Sequence, residues 1–252
     1  MQIHELAIEA VAALGLGAPP AAPALDAAFE SLKGYNWGTD AKALDPIEDA
    51  VVAVLGDAAA RKALEARLVA VLEADVSRDA KDVVCRMLRK MGGADSVPVL
   101  ARLLPDKDLS HMARYALERI QDPAAGTALR DALPKVAGKL KAGVAGSLGA
   151  RRDAAAVPSL IDLLGDGDAA TVAAAATALG AIATPEAASA LIAAGKKAPA
   201  AARPAVIDGA LRAAEHLAVA GKKAEATAVY KACAGNDMPE QVRLAARRGL
   251  SE

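Results

Sequence analysis

The feature that most constrains the fold is a pair of leucines that recurs along the chain. The two leucines of a pair stand twelve residues apart, and every pair brackets a proline. The first leucines are Leu88, Leu117, Leu148 and Leu179, and the second are Leu100, Leu129, Leu160 and Leu191. Successive pairs follow at steps of 29, 31 and 31 residues. A fixed period of this size is the sequence signature of a repeat architecture.

Each repeat predicts two helices joined by a short turn. Asp122–Pro123 and Thr184–Pro185 place a side-chain hydrogen-bond acceptor just before a proline. This order is typical of a helix start, because the acceptor caps free backbone N–H groups and the proline, which has none, fits the first helical position. We expect Asp108, Ser110 and Asp168 to cap the first helices of the following repeats.

The composition favours helices that pack closely. Hydrophobic residues make up 54% of the chain but aromatic residues only 2%, so alanine, leucine and valine supply most of the apolar content. Alanine loses no side-chain entropy in a helix, and small side chains let neighbouring helices approach. A single helix pair cannot bury its own apolar face, whereas stacked pairs form a continuous core. The sequence therefore predicts an all-α fold, an α-solenoid of stacked helix pairs.

The order of helix, Leu-Gly, turn, Asp/Thr-Pro and second helix resembles HEAT repeats over residues 77–200. Leu179–Gly180 followed by Thr184–Pro185 shows the pattern in full. Longer HEAT units run to about 40–47 residues, so the closer resemblance is to the short HEAT-like repeats of phycobilisome bilin lyases. The resemblance also implies a segment of a larger bacterial multidomain protein.

The predicted organisation has three parts in one solenoid. Residues 1–76 form an atypical N-terminal helical cap, which includes an amphipathic helix over residues 3–14. Residues 77–200 hold four HEAT-like repeats, and residues 201–252 hold a longer helical pair and a final helix.

The N-terminal part contains most of the aromatic residues. Phe29, Tyr35 and Trp37 precede a predicted long helix at residues 57–75. We expect these three side chains to plug the open end of the stack, because the terminal units of a solenoid must be atypical. The alternative is an aromatic platform for a ligand.

No catalytic or metal-binding motif stands out. The histidines His4, His111 and His216 are too widely separated in a solenoid to converge on one ion, which needs three or four ligands. Cys85 is expected in the core, and Cys233 near a helix end is expected to be partly exposed. The sequence thus predicts no enzyme, no cofactor and no metal. The two unpaired cysteines and the lack of a signal peptide or membrane span favour a cytoplasmic location.

The charge balance argues against a dedicated nucleic-acid-binding protein. There are 30 basic and 31 acidic residues, for a net charge of −1, whereas nucleic-acid affinity rests on excess lysine and arginine. A basic cluster still leaves an anion-binding or nucleic-acid-binding groove as an alternative, although aspartates lie among its members. The cluster comprises Lys135, Lys139, Lys141, Arg151 and Arg152.

The resemblance also implies where a partner would bind. Second helices of HEAT-like repeats line the concave surface, which by this analogy includes Arg102, Arg130, Asp131 and Asp162. The first-helix arginines Arg86, Arg114 and Arg119 would instead tie neighbouring repeats together through aspartates in the turns. The predicted function is a non-catalytic scaffold for a protein partner or a fused domain. A bilin-lyase-like or other enzyme-accessory module is a further alternative.

Overall fold

The protein is all-α in the computed structural model, which describes residues 20–195 and 197–251. Fourteen α-helices and several short 3-10 turns occur in these ranges, and no strand does. The chain forms two compact units, Met1–Ala125 and Gly126–Glu252. The helix predicted over residues 3–14 and His4 lie outside the described residues.

Seven helices begin in the first unit, and the seventh contains the boundary between the units. They are α1 (Ala22–Lys33), α2 (Asp45–Ala53), α3 (Ala58–Glu73), α4 (Arg78–Met91), α5 (Val97–Arg102), α6 (Ser110–Leu117) and α7 (Pro123–Ala132). Seven more follow in the second unit. They are α8 (Gly138–Ala150), α9 (Val157–Asp162), α10 (Ala169–Ile182), α11 (Pro185–Gly195), α12 (Arg203–Val219), α13 (Lys223–Cys233) and α14 (Glu240–Ser251).

The eight repeat leucines are all core residues. Each is at most 1% exposed, and the two series fall on alternate helices. The first leucines lie on α4, α6, α8 and α10, and the second leucines lie on α5, α7, α9 and α11. The predicted fold class, stacked helix pairs of an α-solenoid, is therefore confirmed.

Several helices begin as their capping residues predict. The Asp122 carboxylate accepts a hydrogen bond from the Ala124 N–H at 2.9 Å. The Thr184 hydroxyl accepts one from the Ala187 N–H at 3.1 Å. Asp168 is the N-cap of α10.

The predicted caps of α6 are wrong. Asp106 accepts hydrogen bonds from the N–H groups of Asp108 and Leu109, at 2.7 and 2.9 Å. Ser110 is 1% exposed and opens the helix instead of capping it. Asp106, which lies two residues before Asp108, therefore accepts the hydrogen bonds that close the turn before α6.

In the second unit, first helices pack directly on first helices, α8 on α10 and α10 on α12. Glycines make the closest approaches. A Cβ atom added at Gly149 would lie 2.6 Å from the Cα of Ala178, and one added at Gly180 would lie 2.7 Å from the carbonyl oxygen of Gly209. The second pair repeats the first after 31 residues, so the sequence period is also the period of the packing.

In the first unit, α3 packs against α4 and against the turn that follows α4. The helix predicted at residues 57–75 is α3, with Leu64, Leu68, Val71 and Leu72 buried, as expected. Glu65, on the same helix, is only 5% exposed. Its Oε1 accepts hydrogen bonds from the N–H of Gly93 at 2.7 Å, the N–H of Ser96 at 2.9 Å and the Ser96 hydroxyl at 2.6 Å. A carboxylate buried in α3 thereby fixes the turn between α4 and α5.

The aromatic residues before α2 do not share one role. Phe29 is 4% exposed and carries the Arg67 guanidinium over its ring at 4.0 Å, so its predicted burial is confirmed. Tyr35 is half-buried. Trp37 is 85% exposed, and the expectation that it plugs the core is wrong. Trp37 lies in the loop between α1 and α2, among turn residues that include Gly34 and Gly38.

Candidate partner-binding surface

Three of the four predicted surface residues occupy the same position in successive repeats. Arg102, Asp131 and Asp162 each follow the second leucine of a pair by two residues. Two residues along a helix correspond to a rotation of about 200°, so a buried leucine turns this position away from the core. All three side chains are exposed, and so is Ala193, the fourth residue of the series.

Arg102, at the end of α5, is engaged in a surface ion pair. Its Nη2 lies 2.5 Å from the Oε1 of Glu73, and the two side chains are 59% and 53% exposed. Ion pairs this exposed contribute about 0–1 kcal/mol, because both charges stay hydrated and their side chains lose freedom. Arg102 can therefore exchange this contact for one with a partner at low cost.

Arg130 is held inside the second unit. Its guanidinium donates hydrogen bonds to the Asp153 carboxylate and, at 2.9 Å, to the Thr127 hydroxyl. The Arg130 and Asp153 side chains are 29% and 10% exposed. Asp153 lies in the turn after α8, so an arginine of a second helix ties one repeat to the turn of the next.

The sequence pattern predicts such contacts between repeats for the first-helix arginines Arg86, Arg114 and Arg119. Arg86 does not make such a contact, because it pairs with Asp82 one turn earlier on its own helix. The tie that does form has a sequence signal of its own. Gly126 leaves the space that the Asp153 carboxylate fills, since a Cβ atom at Gly126 would lie 2.6 Å from the Asp153 Oδ2.

Asp131 and Asp162 are the two residues of the predicted set that no hydrogen bond or ion pair engages within the described part of the chain. Both belong to the second unit, at the end of α7 and of α9. They present carboxylates at repeat-equivalent positions, which suits contact with basic groups.

The basic cluster is interrupted by carboxylates. Lys141 Nζ lies 3.3 Å from the Asp166 Oδ2, and both side chains are about three-quarters buried. The Asp168 backbone N–H and this lysine together lower the pKa of Asp166. Lys135 and Lys139 are exposed. Ion pairing thus neutralises part of the charge that a nucleic-acid groove would need.

Both cysteines are buried, and burial raises the pKa of each thiol. Cys85 is fully buried, as predicted, and burial followed by the nearby Asp82 raises its pKa to about 12. Cys233 is 4% exposed, so the expectation of partial exposure is wrong. Burial also raises the pKa of Cys233. Since the thiolate is the nucleophile, both thiols are poor candidates for covalent chemistry.

The described residues contain no group of three or more His, Cys, Asp or Glu that could hold a metal ion. His111 is exposed at the start of α6, and His216 is half-buried on α12. None of the helices in the described ranges is long and apolar enough to cross a membrane.

Sequence reasoning missed a cavity of about 490 Å³ in the second unit. It lies between α12 and the segment that leads into α14, and its walls include Ile207, Met238 and Val242, with Arg203 and Asp208 at the polar side. A smaller cavity of about 220 Å³ shares Ile207 and Met238. Only the Met-Pro pair before α14 marks this region in the sequence.

Comparisons with known proteins bear on the repeats. Residues 135–211 match the family described as HEAT repeats, which covers α8 to α11 and the first part of α12. This part of the chain is therefore similar to HEAT repeats, which commonly act as scaffolds for protein interaction. Curated protein sequences give no match. Among solved structures, a crystal structure of an engineered protein is similar to this chain, with 20% sequence identity. The similarity covers 81% of this chain and 95% of the engineered protein, with a TM-score of 0.41, and it supports no assignment.

Proposed function

We propose that this protein is a non-catalytic scaffold that binds a protein partner, or another domain of a longer chain, through its second helices. The observation that carries the proposal is a row of two exposed carboxylates in the second unit, Asp131 and Asp162, at repeat-equivalent positions. Arg102 holds the equivalent sequence position in the first unit. Each is backed by a leucine that is fully buried two residues earlier. Because the helices that carry these side chains are already ordered, binding costs only the freedom of the side chains and not that of the backbone.

The chemistry of the row favours a partner with basic groups opposite the second unit. Asp131 and Asp162 are exposed carboxylates with no ion-pair partner in the described residues. Arg102 belongs to the first unit and contributes a cation that an exposed ion pair holds only weakly. Affinity would come from many modest contacts of this type, and Arg130 would support the surface through Asp153.

Affinity capture tests the proposal. The immobilised chain is compared with Asp131→Lys/Asp162→Lys, and with Asp49→Lys/Asp75→Lys, which makes the same change in charge at exposed residues outside the row. We expect a bound protein that the first variant loses and the control keeps. Capture that is equal on both variants contradicts the proposal, as does capture of nothing.

Two other outcomes would favour the alternative functions. Retention on heparin or DNA that falls steeply with salt indicates an anion-binding groove. A coloured ligand that purifies with the protein indicates a bilin-lyase-like module.

The short repeat period supports a finer assignment within the same proposal. Steps of 31 residues fit the short HEAT-like repeats of bilin lyases better than the longer HEAT form. We also propose that the segment comes from a larger bacterial multidomain protein. Residues 1–76 would serve as its N-terminal cap, residues 77–200 as its four repeats, and residues 201–252 as the continuation of the solenoid.

A further inference from the structure

A groove of about 360 Å³ in the first unit gathers most of the chain's aromatic side chains. The whole chain has five aromatic residues, and three of them, Tyr35, Trp37 and Tyr115, line this groove. It lies between the loop after α1, the start of α2, and the outward faces of α4 and α6. In a chain with 2% aromatic residues, this concentration marks one particular place on the surface.

The loop that carries the aromatic residues is fixed to the start of α4. The Trp37 N–H donates a hydrogen bond to the Asp79 Oδ2 at 2.9 Å. The Tyr35 carbonyl accepts one from the hydroxyl of Ser77, the N-cap of α4. Trp37 therefore projects from an anchored backbone while its side chain stays 85% exposed. A displayed indole on a fixed loop costs little entropy to engage.

The groove is also cationic. Its lining contains Arg86, Arg89 and Lys90 but one carboxylate, Glu48. Arg86 is neutralised by Asp82. Lys90 is exposed, and no ion pair engages it within the described residues.

Arg89 is the most constrained of these cations. Its guanidinium lies over the Tyr115 ring, 4.3 Å from the centroid. Its Nε is buried and has no hydrogen-bond partner. The stacking positions the charged group at the wall of the groove and leaves a donor for which the structure supplies no acceptor.

The floor of the groove is apolar and consists of Leu44, Val83 and Met87. An apolar floor, aromatic walls and a cationic rim are the elements of a peptide-binding hot spot, where Trp, Tyr and Arg are enriched. A purely anionic ligand would leave the floor unused, and a purely apolar one would leave the cations unpaired.

We propose that this groove binds a short acidic segment of a partner protein, with an apolar side chain against Trp37 and the floor and carboxylates against Arg89 and Lys90. The site goes beyond the proposed second-helix surface, because it lies in the first unit and uses first helices. Its existence does not depend on Asp131 or Asp162. It gives the scaffold a second, chemically different docking point.

The experiment uses a random dodecapeptide library displayed on phage and selected against the whole immobilised chain. We expect the selected peptides to be acidic and to carry at least one large apolar residue. Trp37 is the only tryptophan of the chain, so its intrinsic fluorescence reports on the groove directly. A selected peptide should shift that emission to the blue as the indole leaves water.

Variants separate this site from other surfaces. Measured by titration calorimetry, which does not need the tryptophan, Lys90→Glu should weaken binding of the selected peptides about tenfold and Trp37→Ala about tenfold or more, where tenfold corresponds to about 1.4 kcal/mol. Lys107→Glu and Leu55→Ala remove an exposed cation and an exposed apolar side chain elsewhere in the same unit and should leave affinity unchanged. Asp131→Lys/Asp162→Lys should also leave it unchanged, so this site and the second-helix surface can fail separately.

Four results would overturn the proposal. The first is selection of neutral or basic sequences, and the second is no enrichment at all. The third is binding that survives both groove variants. The fourth is a shift of the Trp37 emission by single-stranded DNA or a nucleotide but not by acidic peptides, which would make the groove a stacking site for bases.

Discussion

Gly180 on α10 lies against Gly209 on α12 with no space for a side chain between them. A Cβ atom at Gly180 would be 2.7 Å from the Gly209 carbonyl oxygen and 2.8 Å from its Cα. The obstruction is backbone, which cannot rotate away as a flexible side chain would. The same contact recurs one repeat earlier between Gly149 and Ala178.

Gly180→Ala should therefore destabilise the protein, although alanine is the better helix former. Overpacking of a close helix contact costs about 1–3 kcal/mol. The free energy of unfolding, measured by urea denaturation, gives the loss directly.

Gly146→Ala is the matched control. Gly146 is exposed on α8, and no atom would lie within 4 Å of an added Cβ. This variant should gain about 0.5–1 kcal/mol from helix propensity. Equal effects of the two substitutions would show that the helices are not in such close contact.

Glu65→Ala should be among the most destabilising substitutions in the first unit. It removes the acceptor of three hydrogen bonds. The Gly93 N–H loses its bond to Glu65, and the Ser96 N–H keeps only its longer bond to the Gly93 carbonyl oxygen at 3.3 Å. We expect a loss of about 2–4 kcal/mol in the free energy of unfolding. Glu65→Gln should lose less, because its amide oxygen still accepts.

Glu73→Ala provides the comparison on the same helix. Among the residues that the structure describes, its carboxylate contacts only Arg102, in an exposed ion pair, so the loss should stay below about 0.5 kcal/mol. A Glu65→Ala variant as stable as this control would contradict a stabilising role for the buried hydrogen bonds of Glu65.

The Arg130–Asp153 pair should show a measurable coupling energy in a double-mutant cycle. The pair is mostly buried and hydrogen-bonded, so we expect about 1–2 kcal/mol after allowing for its remaining exposure. The Lys62–Asp95 pair, at 3.6 Å and 76% and 58% exposed, should couple by less than about 0.5 kcal/mol. If the coupling energy between Arg130 and Asp153 is zero, the ion pair does not hold Arg130, and this side chain would be available to a partner.

The cap of α10 should make stability depend on pH in the acid range. The Thr171 hydroxyl, followed by backbone N–H groups, lowers the pKa of Asp168 below the ordinary value of 3.8. The stabilising effect is therefore complete above 3.8 and is lost as the pH falls through the lower, folded-state pKa.

Asp168→Asn tests this pH dependence, because asparagine caps the helix but does not titrate. The urea midpoints of the two proteins should differ at about pH 5, and the difference should shrink as the pH falls below 3.8 and the aspartate becomes protonated. A constant difference across this range would mean that Asp168 does not contribute through its charge.

Much of the fold could be predicted from the sequence because its physics is local and periodic. The leucine pairs fixed which residues face the core, and the Asp-Pro and Thr-Pro steps fixed where second helices begin. A position two residues after a core leucine is turned away from the core, and Arg102, Asp131 and Asp162, which hold this position, are exposed.

The tertiary structure decided what the exposed and polar residues touch. The partner of Arg130 lies 23 residues away along the chain, and the carboxylate of Glu65 reaches 28 and 31 residues ahead. No local period encodes such contacts, since they depend on how the helices pack. The same packing left Trp37 exposed beside Tyr115 and Arg89, where residues distant in sequence meet in one groove. Local spacing thus determined the repeat, whereas the geometry between helices determined which polar side chains are bound within the protein and which remain exposed.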